Sequence, residues 1–363
     1  MTVLIAGGGT GGHVFPMLAV GQALESEGAD VFYVGTARGL EQRLIGDAGG
    51  DLELLDVAPL RGGGVRGALV GGLKAAWSFN AARDLVKRRR PDVVLSVGGY
   101  AGGPVALAAR LMGVPLAVLE PNSVLGFTNR VLGPLAHRVY VAFGDWDRRF
   151  GPGVLMRSGV PLRSEFKASV YQPLVGRFRV LVLGGSQGAK ALNECVPGAF
   201  ERLSAVVPHA EILHQAGRGK VIATSQRYAY APNARVGVVD FIEDVAGELD
   251  RADLVIQRCG ASAVSELCLV GRANILVPFP FAADQHQLAN AKSLEREGAA
   301  IALEEREATP ERLGALLIEL AADPARRIAL AERARTLATP NAAKDVAGDL
   351  LQLAKQRRTR GRA

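Results

Sequence analysis

Cysteine is scarce in this chain, and the spacing of the few cysteines argues against disulfide bonds and zinc sites as sources of stability. Only three cysteines, Cys195, Cys259 and Cys268, occur among 363 residues, and no two of them form a CxxC pair. An odd number without paired spacing argues against a disulfide framework and against a structural zinc site. The sequence therefore predicts a protein of a reducing compartment.

Long hydrophobic runs are also missing. No run reaches the roughly 18 apolar residues that a membrane-spanning helix needs, and the nearest candidate, residues 102–119, is broken by Arg110. The segment from Met1 to Ala6 lacks a basic start and leads directly into glycines, which argues against a signal peptide. We therefore expect a cytoplasmic protein that does not span a membrane.

Acidic residues are outnumbered, with 36 Asp and Glu against 43 Lys and Arg and a net charge of +7. The excess is concentrated between Val57 and Arg90, where eight basic residues face a single acid, and again from Lys355 to Arg362. Such a balance is typical of proteins that bind nucleic acid, an anionic membrane or an anionic substrate. Neither cluster carries the aromatic pattern of an RNA-binding domain, so nucleic acid is the least favoured partner.

Apolar residues recur at helical spacing within the first basic cluster, at Val65, Leu69, Leu73 and Trp77. A basic helix with an apolar face can lie among lipid headgroups, where each Lys or Arg adds roughly 1 kcal/mol of attraction to anionic lipids. The same side chains could instead fill the core of the first domain. We favour contact with the cytoplasmic face of a membrane, with anionic lipids as partners.

The chain repeats one design in two halves, and its length predicts two domains. In each half, short apolar runs alternate with helical patterns, as in parallel sheets covered by helices. The expected strands are Thr2–Ala6, Val31–Val34, Val93–Val97, Leu116–Leu119, Val139–Ala142, Arg179–Leu183, Ile212–His214, Val236–Val239, Leu254–Gln257 and Asn274–Val277. We expect an α/β fold with two Rossmann-like, doubly wound domains, residues 1–160 and 161–340. The C-terminal helix, within residues 341–363, is expected to pack back on the first domain.

Three glycine-rich segments follow predicted strands: Gly7–Gly12, Gly98–Pro104 and Gly184–Ala189. Such loops suit anions because backbone N–H groups and the following helix present positive charge. The first satisfies GxGxxG, yet the acid that an NAD site needs at the end of the second strand is missing from Val34-Gly35-Thr36. An NAD-dependent oxidoreductase is therefore disfavoured, and the absence of a GxxxxGK[ST] pattern excludes a P-loop NTPase.

The loops and several other segments resemble the MurG family of glycosyltransferases. The segments that carry the resemblance are Gly8–Pro16, Val97–Tyr100 with Gly103-Pro104, Gly184–Ala189 with Leu192-Asn193, Arg258–Ser262 with Ser265-Glu266, and Asp284–Gln287 with Asn290-Ala291. They occur in the family's order over nearly the whole chain, which makes the resemblance highly specific.

The resemblance implies a GT-B fold, in which the two domains face each other across a cleft. It also implies inverting transfer of N-acetylglucosamine (GlcNAc) from UDP-GlcNAc to the C4 hydroxyl of N-acetylmuramic acid (MurNAc) in lipid I. Lipid I is the undecaprenyl-linked MurNAc-pentapeptide, and the product, lipid II, serves peptidoglycan synthesis. No cofactor and no metal are implied. The alternatives are a GT-B glycosyltransferase with another lipid or small-molecule acceptor, and a non-catalytic module that binds nucleotide sugars.

Site residues are expected where the sequence matches the family's motifs. His13, at a helix start and with an imidazole suited to proton transfer near neutral pH, is the expected base. The second-domain loop, with Arg163 nearby, is expected to stabilise the departing UDP, Glu266 to hold the ribose hydroxyls, Ile242 to meet uracil through its backbone, and Gln287 to bind sugar hydroxyls. The residues expected to bind the UDP-sugar are Thr10, Gly11, Gly12, Arg163, Ser186, Gln187, Gly188, Ile242, Glu266 and Gln287. Those expected to bind the acceptor are Gly99, Tyr100, Glu120 and Asn122.

One motif departs from the family pattern. The stretch that the family writes HEQNxxxGxxN begins here with Leu119, Glu120, Pro121 and Asn122, so the His and the Gln are replaced. The resemblance therefore carries no acceptor role over to Leu119 and Pro121. A separate Asp145-Trp146-Asp147 stretch matches the DxD pattern of metal-dependent glycosyltransferases, but it follows a first-domain strand, and we interpret its acids as helix-start and surface residues.

Overall fold

The computed structural model describes residues 1–8, 11–36, 41–47, 49–55, 57, 65–144, 146, 149–185, 187–228 and 235–360. The side chains of residues 43, 47, 65–76 and 360 lie outside this description. The chain divides into two compact units. Unit 1 comprises Met1–Ser164 and Thr339–Ala363, and unit 2 comprises Glu165–Ala338.

Unit 1 contains a parallel sheet of seven strands in the order β3-β2-β1-β4-β5-β6-β7. The strands are β1 (Thr2–Ala6), β2 (Asp30–Thr36), β3 (Asp51–Leu55), β4 (Val93–Ser96), β5 (Leu116–Glu120), β6 (Arg138–Val141) and β7 (Leu155–Arg157). The helices between them are α1 (Gly11–Ser26), α2 (Glu41–Asp47), α3 (Val65–Arg89), α4 (Gly99–Leu111) and α5 (Phe127–Leu132). The five strands expected for this half are all present.

The two strands that the sequence did not predict, β3 and β7, lie at the edges of this sheet. Apolar runs identify strands whose two faces are both covered by helices, whereas an edge strand keeps polar side chains. In β3, Glu53 accepts hydrogen bonds from Arg88 and Arg89 on α3, at 2.8 and 2.7 Å. Its acidic residues therefore pair with the basic end of α3 instead of contributing to the apolar core.

Unit 2 contains a second parallel sheet, of six strands in the order β10-β9-β8-β11-β12-β13. The strands are β8 (Phe178–Leu183), β9 (Ala210–Gln215), β10 (Arg235–Val239), β11 (Leu254–Gln257), β12 (Ala273–Leu276) and β13 (Ile301–Ala302). The helices are α6 (Lys190–Val206), α7 (Val221–Arg227), α8 (Val245–Arg251), α9 (Ala261–Val270), α10 (His286–Arg296), α11 (Pro310–Ala322) and α12 (Pro324–Thr336). In both sheets the strand order reverses beside the first strand, which is where ligands bind in open α/β sheets.

The last helix, α13 (Ala342–Arg360), belongs to unit 1. Its apolar side chains Val346 and Leu350 are fully buried in the same cluster as Val3 and Ile5 of β1. At its end, Arg358 forms a salt bridge with Asp92 at 2.7 Å. Among the described residues, no helix is both long enough and apolar enough to cross a bilayer.

Candidate functional site

The first glycine segment of unit 1 leads from β1 into α1. His13 is the third residue of that helix and is partly buried, while Gly11 and Gly12 form the start of the helix. Two residues after His13, the ring of Phe15 lies 4.5 Å from the guanidinium carbon of Arg163. Arg163 therefore belongs to unit 1 and lies beside the helix that carries His13. Thr10 lies outside the described residues.

The glycine segments after β1 and β4 touch each other. A side chain at Gly99, where φ is +74°, would place its Cβ 2.4 Å from the carbonyl oxygen of Gly8. At Gly8, where φ is +139°, a Cβ would lie 1.6 Å from Oε1 of Glu41. Both positions thus require glycine for the close approach as well as for the backbone conformation. The contact brings the predicted acceptor residue Gly99 next to the loop that precedes His13.

Glu41 is a residue of this site that the sequence did not reveal. It is fully buried at the start of α2, and its Oε1 accepts hydrogen bonds from the N–H and the hydroxyl of Thr36, both at 3.2 Å. The fold therefore brings a carboxylate to the end of β2, although the strand itself carries none. Because this oxygen is already bonded and the side chain is buried, it does not offer the exposed acid that a ribose would need.

Glu120, expected to bind the acceptor, is 2% exposed at the end of β5. Its Oε1 accepts from the backbone N–H and the Nδ2 of Asn122, at 3.0 and 3.1 Å. Its Oε2 accepts from Gly126 N at 2.8 Å and from Asn129 Nδ2 at 3.0 Å. Four hydrogen bonds around one carboxylate fix the turn that carries Asn122. The geometry favours a role for Glu120 in shaping this turn, with Asn122 as the member that can reach a ligand.

The two family positions replaced here lie at the start of the same turn. Leu119 is fully buried within β5, and its carbonyl accepts from Asn129 Nδ2 at 3.0 Å. A leucine side chain buried in the core cannot contact a substrate, so the side chain at this position has no direct role toward the acceptor. By contrast, Tyr100, at the start of α4, is 53% exposed and accessible to a ligand.

The glycine segment of unit 2 is a closed turn between β8 and α6. Gly185 and Gly188 have φ values of +81° and +68°, and Gly188 N donates to Gly185 O at 2.9 Å. The N–H of Gly188 is therefore engaged within the loop, so this predicted site residue shapes the loop. Gln187 is exposed on the turn, and Ser186 lies outside the described residues.

Side chains from the neighbouring strand and the loop after it hold this turn. Gln215, the last residue of β9, donates from Nε2 to Gly185 O at 3.0 Å. Lys220 donates from Nζ to Gln187 O at 2.7 Å. Bonding these two carbonyls restrains the backbone of Gly185 and Gln187 and so stabilises the shape of the turn. Neither residue was predicted, because nothing in the strand pattern marks which side chains turn toward a loop.

Polar groups are also buried at the start of α9, which follows β11. Glu266 is 8% exposed on the helix, and Ser262, in its first turn, is 7% exposed. Among the described residues, Ser262 Oγ and Gln257 Oε1 are buried and have no hydrogen-bond partner. Buried polar atoms normally find partners, so two such atoms beside a helix start are consistent with a site for a polar ligand. Ile242 is 6% exposed, which leaves its backbone as the part available for recognition.

Gln287, on α10, joins two loops of unit 2. Its Oε1 accepts from Cys259 N at 3.1 Å and from Phe279 N at 3.0 Å. With that oxygen engaged, the side chain offers only its Nε2 hydrogens to a ligand, and these can donate to a sugar hydroxyl. Beside it, Asn290 Nδ2 donates to Cys259 O at 2.9 Å and fixes the same loop.

The titratable groups that could support metal or thiolate chemistry are not assembled for it within the part of the chain that the structure describes. No group of three or more His, Cys, Asp or Glu side chains there is arranged to hold a metal ion. Asp145 and Asp147 lie outside that part. All three cysteines are buried, and burial raises the pKa of Cys195 to about 11 and that of Cys268 to about 12, so both remain protonated thiols at neutral pH.

Comparison with known proteins matches both units. Residues 3–141 match the glycosyltransferase family 28 N-terminal domain, and residues 179–347 match the glycosyltransferase family 28 C-terminal domain. The UDP-N-acetylglucosamine–N-acetylmuramyl-(pentapeptide) pyrophosphoryl-undecaprenol N-acetylglucosamine transferase of Sorangium cellulosum is 53% identical, over 99% of this chain and 90% of that protein. The enzyme of the same description from Azotobacter vinelandii is 42% identical, over 97% of this chain and 99% of that protein.

A solved structure agrees with these matches. The crystal structure of Acinetobacter baumannii MurG superimposes with a TM-score of 0.82 at 37% identity, covering 97% of this chain and 99% of that one. Together with the two parallel sheets, this match confirms the expected α/β class of two Rossmann-like domains and its GT-B type.

Proposed function

The chain belongs to the MurG family of glycosyltransferases, and on that premise we propose that unit 2 binds most of UDP-GlcNAc while unit 1 binds the acceptor. Thr10, Gly11, Gly12 and Arg163 of unit 1 are expected to add contacts to the UDP-sugar. It is a UDP-GlcNAc-dependent N-acetylglucosaminyltransferase that transfers GlcNAc to lipid I and so forms lipid II for peptidoglycan synthesis. The remaining question is which of its residues perform the transfer.

The nucleotide half of the proposal rests on the polar groups at the carboxyl edge of the unit 2 sheet. The turn of residues 184–189 and the start of α6 present N–H groups to a diphosphate. Glu266 would accept from the ribose hydroxyls, and the buried Ser262 Oγ and Gln257 Oε1 lie at the start of the same helix. Gln287 would donate from Nε2 to a hydroxyl of the sugar, since its oxygen is engaged by two backbone N–H groups.

The acceptor half rests on the two touching glycine segments of unit 1. His13 would take the proton from the C4 hydroxyl of MurNAc as that oxygen forms its bond to C1 of GlcNAc. The bond from C1 to the UDP oxygen breaks, and the negative charge stays on the departing UDP. Attack from the opposite face inverts the configuration at C1. Asn122, Gly99 and Tyr100 would contact the acceptor, with Glu120 holding the turn of Asn122 in place.

The experiment that tests both halves is transfer of labelled GlcNAc to a short-chain lipid I analogue. His13→Ala is expected to lower kcat by about 100-fold, the effect of losing general-base catalysis, with little change in UDP affinity. Glu266→Ala is expected to raise the KM for UDP-GlcNAc by about tenfold, since hydrogen bonds to a charged group are lost. His209→Ala and Glu201→Ala, exposed and away from these groups, are the matched controls. If His13→Ala retained full kcat, the assignment of the base would be wrong.

We also propose that unit 1 contacts the membrane surface that holds its lipid acceptor. Four large apolar side chains are exposed on helices that pack side by side: Trp77 of α3, Leu111 of α4, and Phe127 and Val131 of α5, at 66, 69, 68 and 55%. Large apolar side chains exposed on adjoining helices are typical of a surface that contacts a partner or a membrane when they form one patch. Val65, Leu69 and Leu73, the other residues of the expected apolar face, have side chains outside the described part of the chain.

Binding to liposomes tests this surface directly. Leu111→Ser with Val131→Ser is expected to reduce binding to anionic vesicles several-fold, because each buried apolar side chain contributes about 1.5–3 kcal/mol when fully transferred. Transfer to a water-soluble acceptor should be unchanged. Val206→Ser with Ile222→Ser, equally exposed in unit 2, is the control. Unchanged binding by the unit 1 variant would contradict the proposal.

A further inference from the structure

The imidazole of His214 belongs to a hydrogen-bond chain of buried side chains that leads to the unit 2 glycine turn. It is fully buried in β9, in register with Val182 of β8. Its Nδ1 lies 2.8 Å from the hydroxyl of Tyr228, and its Nε2 lies 3.0 Å from Oδ1 of Asn193. Nδ2 of Asn193 in turn donates to the carbonyl of Ala216 at 2.9 Å.

These contacts determine which group donates and which accepts in every hydrogen bond of this hydrogen-bond chain. Since Nδ2 of Asn193 donates to a carbonyl, its Oδ1 must accept, so Nε2 of His214 carries the hydrogen. Nδ1 then accepts from the hydroxyl of Tyr228. Burial lowers the pKa of His214 to about 4, which keeps the ring neutral and this single tautomer in place at physiological pH. Tyr228 is buried too, which raises its pKa well above its usual value and keeps its hydroxyl protonated.

The hydrogen-bond chain ends at the Ala216–Gly217 peptide, which contacts the glycine turn. A Cβ at Gly188 would lie 1.7 Å from the carbonyl oxygen of Ala216, and one at Gly217 would lie 2.4 Å from the nitrogen of Gly188. Asn193 also joins the turn through its own backbone, because its N–H donates to Ala189 O at 2.9 Å. The position of the Ala216–Gly217 peptide thus limits the position of the turn, and Asn193 holds both.

We propose that His214 is a positioning residue for UDP-GlcNAc, acting through Asn193 and Ala216 on the glycine turn of residues 184–189. This inference rests on the proposed function of unit 2, because it assumes that the turn receives the diphosphate. The ring does not touch the substrate. It holds the backbone of the turn in the conformation that binds the diphosphate. Loss of the imidazole should therefore weaken binding of the nucleotide more than it slows the chemical step.

His214→Phe is the direct test, since it keeps a planar ring and removes both hydrogen bonds. We expect UDP affinity, measured by calorimetry, to fall about tenfold and the KM for UDP-GlcNAc to rise equally, with kcat within about twofold, as for the loss of one or two buried hydrogen bonds. Tyr228→Phe should cause about a threefold effect. A double-mutant cycle of His214→Phe with Asn193→Ala should be non-additive, because both act through one chain.

Tyr171→Phe is the matched control for lost stability. Its hydroxyl is buried in the same unit, donates to Asp253 Oδ1 at 2.8 Å and lies at the opposite, amino-terminal edge of the sheet. It should lower the melting temperature without changing the KM for UDP-GlcNAc. A similar fall in melting temperature for His214→Phe, with UDP affinity unchanged, would overturn the positioning role while leaving unit 2 as the nucleotide site. Failure of the unmodified enzyme to bind UDP would remove the proposed function, and this inference with it.

Discussion

The glycine turns of the two units follow equivalent strands of their sheets, but the side chains that lie beside the two turns differ in charge. Each follows the first strand of a parallel sheet, and each touches a second glycine, Gly99 against Gly8 and Gly217 against Gly188. Behind the first turn lies the carboxylate of Glu41. Behind the second turn lie the neutral side chains of His214, Asn193 and Gln215. The ammonium group of Lys220 bonds the exposed side of this turn.

This difference teaches that the glycine pattern alone does not decide which ligand a turn receives. Backbone N–H groups and a helix start give both turns a positive potential. A carboxylate directly behind the turn opposes that potential, whereas amides and a neutral imidazole leave it intact, and a lysine adds to it. The amide of Gln215 and the ammonium group of Lys220 beside the unit 2 turn are consistent with the proposal that this turn receives the UDP diphosphate.

The largest effect is expected from Gly188→Ala. The new Cβ would meet the backbone oxygen of Ala216 at 1.7 Å, and backbone cannot move aside as a flexible side chain can. We expect UDP affinity to fall by about 100-fold or more, with a loss of roughly 2–4 kcal/mol in the free energy of unfolding.

Gly185→Ala is the control for this substitution. Its φ is +81°, so it carries a similar backbone strain, but a Cβ there would meet no atom of the described residues within 4 Å. Calorimetric binding of UDP to both variants separates strain from contact. Equal losses would mean that the approach of Ala216 is unimportant, and would undermine the role assigned to the His214 chain.

Acid should destabilise unit 2 through His214. Its pKa is about 4 in the folded chain, below the value of 6.5 for an exposed histidine. The unfolded chain then binds the extra proton first, so the stability contributed by the neutral ring is complete above pH 6.5 and is lost as the pH falls toward 4. Between about pH 7.5 and about pH 5 we expect a loss of about 2 kcal/mol in the free energy of unfolding.

Urea unfolding of the unmodified protein and of His214→Phe at both pH values measures this loss. The variant has no ring to protonate at this position, so its stability should depend less on pH by the same amount. A pH dependence identical in the two proteins would show that His214 is not held neutral, and would remove one of the contrasts between the turns.

The first turn should tolerate substitution better than the second. In Gly8→Ala, the obstacle is the end of the Glu41 side chain, 1.6 Å from the new Cβ, and that end can move. We expect transfer to fall about tenfold, from backbone strain and a displaced turn, and UDP affinity to fall much less than in Gly188→Ala. Adding Glu41→Asp, which withdraws the carboxylate by one methylene, should restore part of the activity. A loss of UDP affinity in Gly8→Ala as large as in Gly188→Ala would contradict the assignment of most nucleotide contacts to unit 2.

The contrast also shows how far sequence alone could go. Buried strands such as β1 and β8 were predictable because helices cover both faces, and most of their residues are therefore apolar and buried. Glu41 was not, since residues 37–40 separate it from β2 and only the fold returns its carboxylate to Thr36. The packing of Arg163 on Phe15 was not foreseen either, because 148 residues separate the two in the sequence, and its expected role toward UDP stays a prediction. Spacing along the chain shows which side chains share an element, whereas contacts between loops depend on the completed sheet.

The smallest effect is expected from Lys220→Ala. Its Nζ donates to the carbonyl of Gln187 at 2.7 Å, but the contact is exposed, so solvent screens its charge. We expect the KM for UDP-GlcNAc to rise about threefold at low salt and by less at high salt, with kcat unchanged. Lys190→Ala, which removes an exposed lysine at the start of α6 that lies 3.9 Å from Glu194, is the control for general loss of positive charge. If both variants gave the same salt-dependent rise, the effect would come from the unit's overall charge; a rise confined to Lys220→Ala would assign it to the contact that orients the turn.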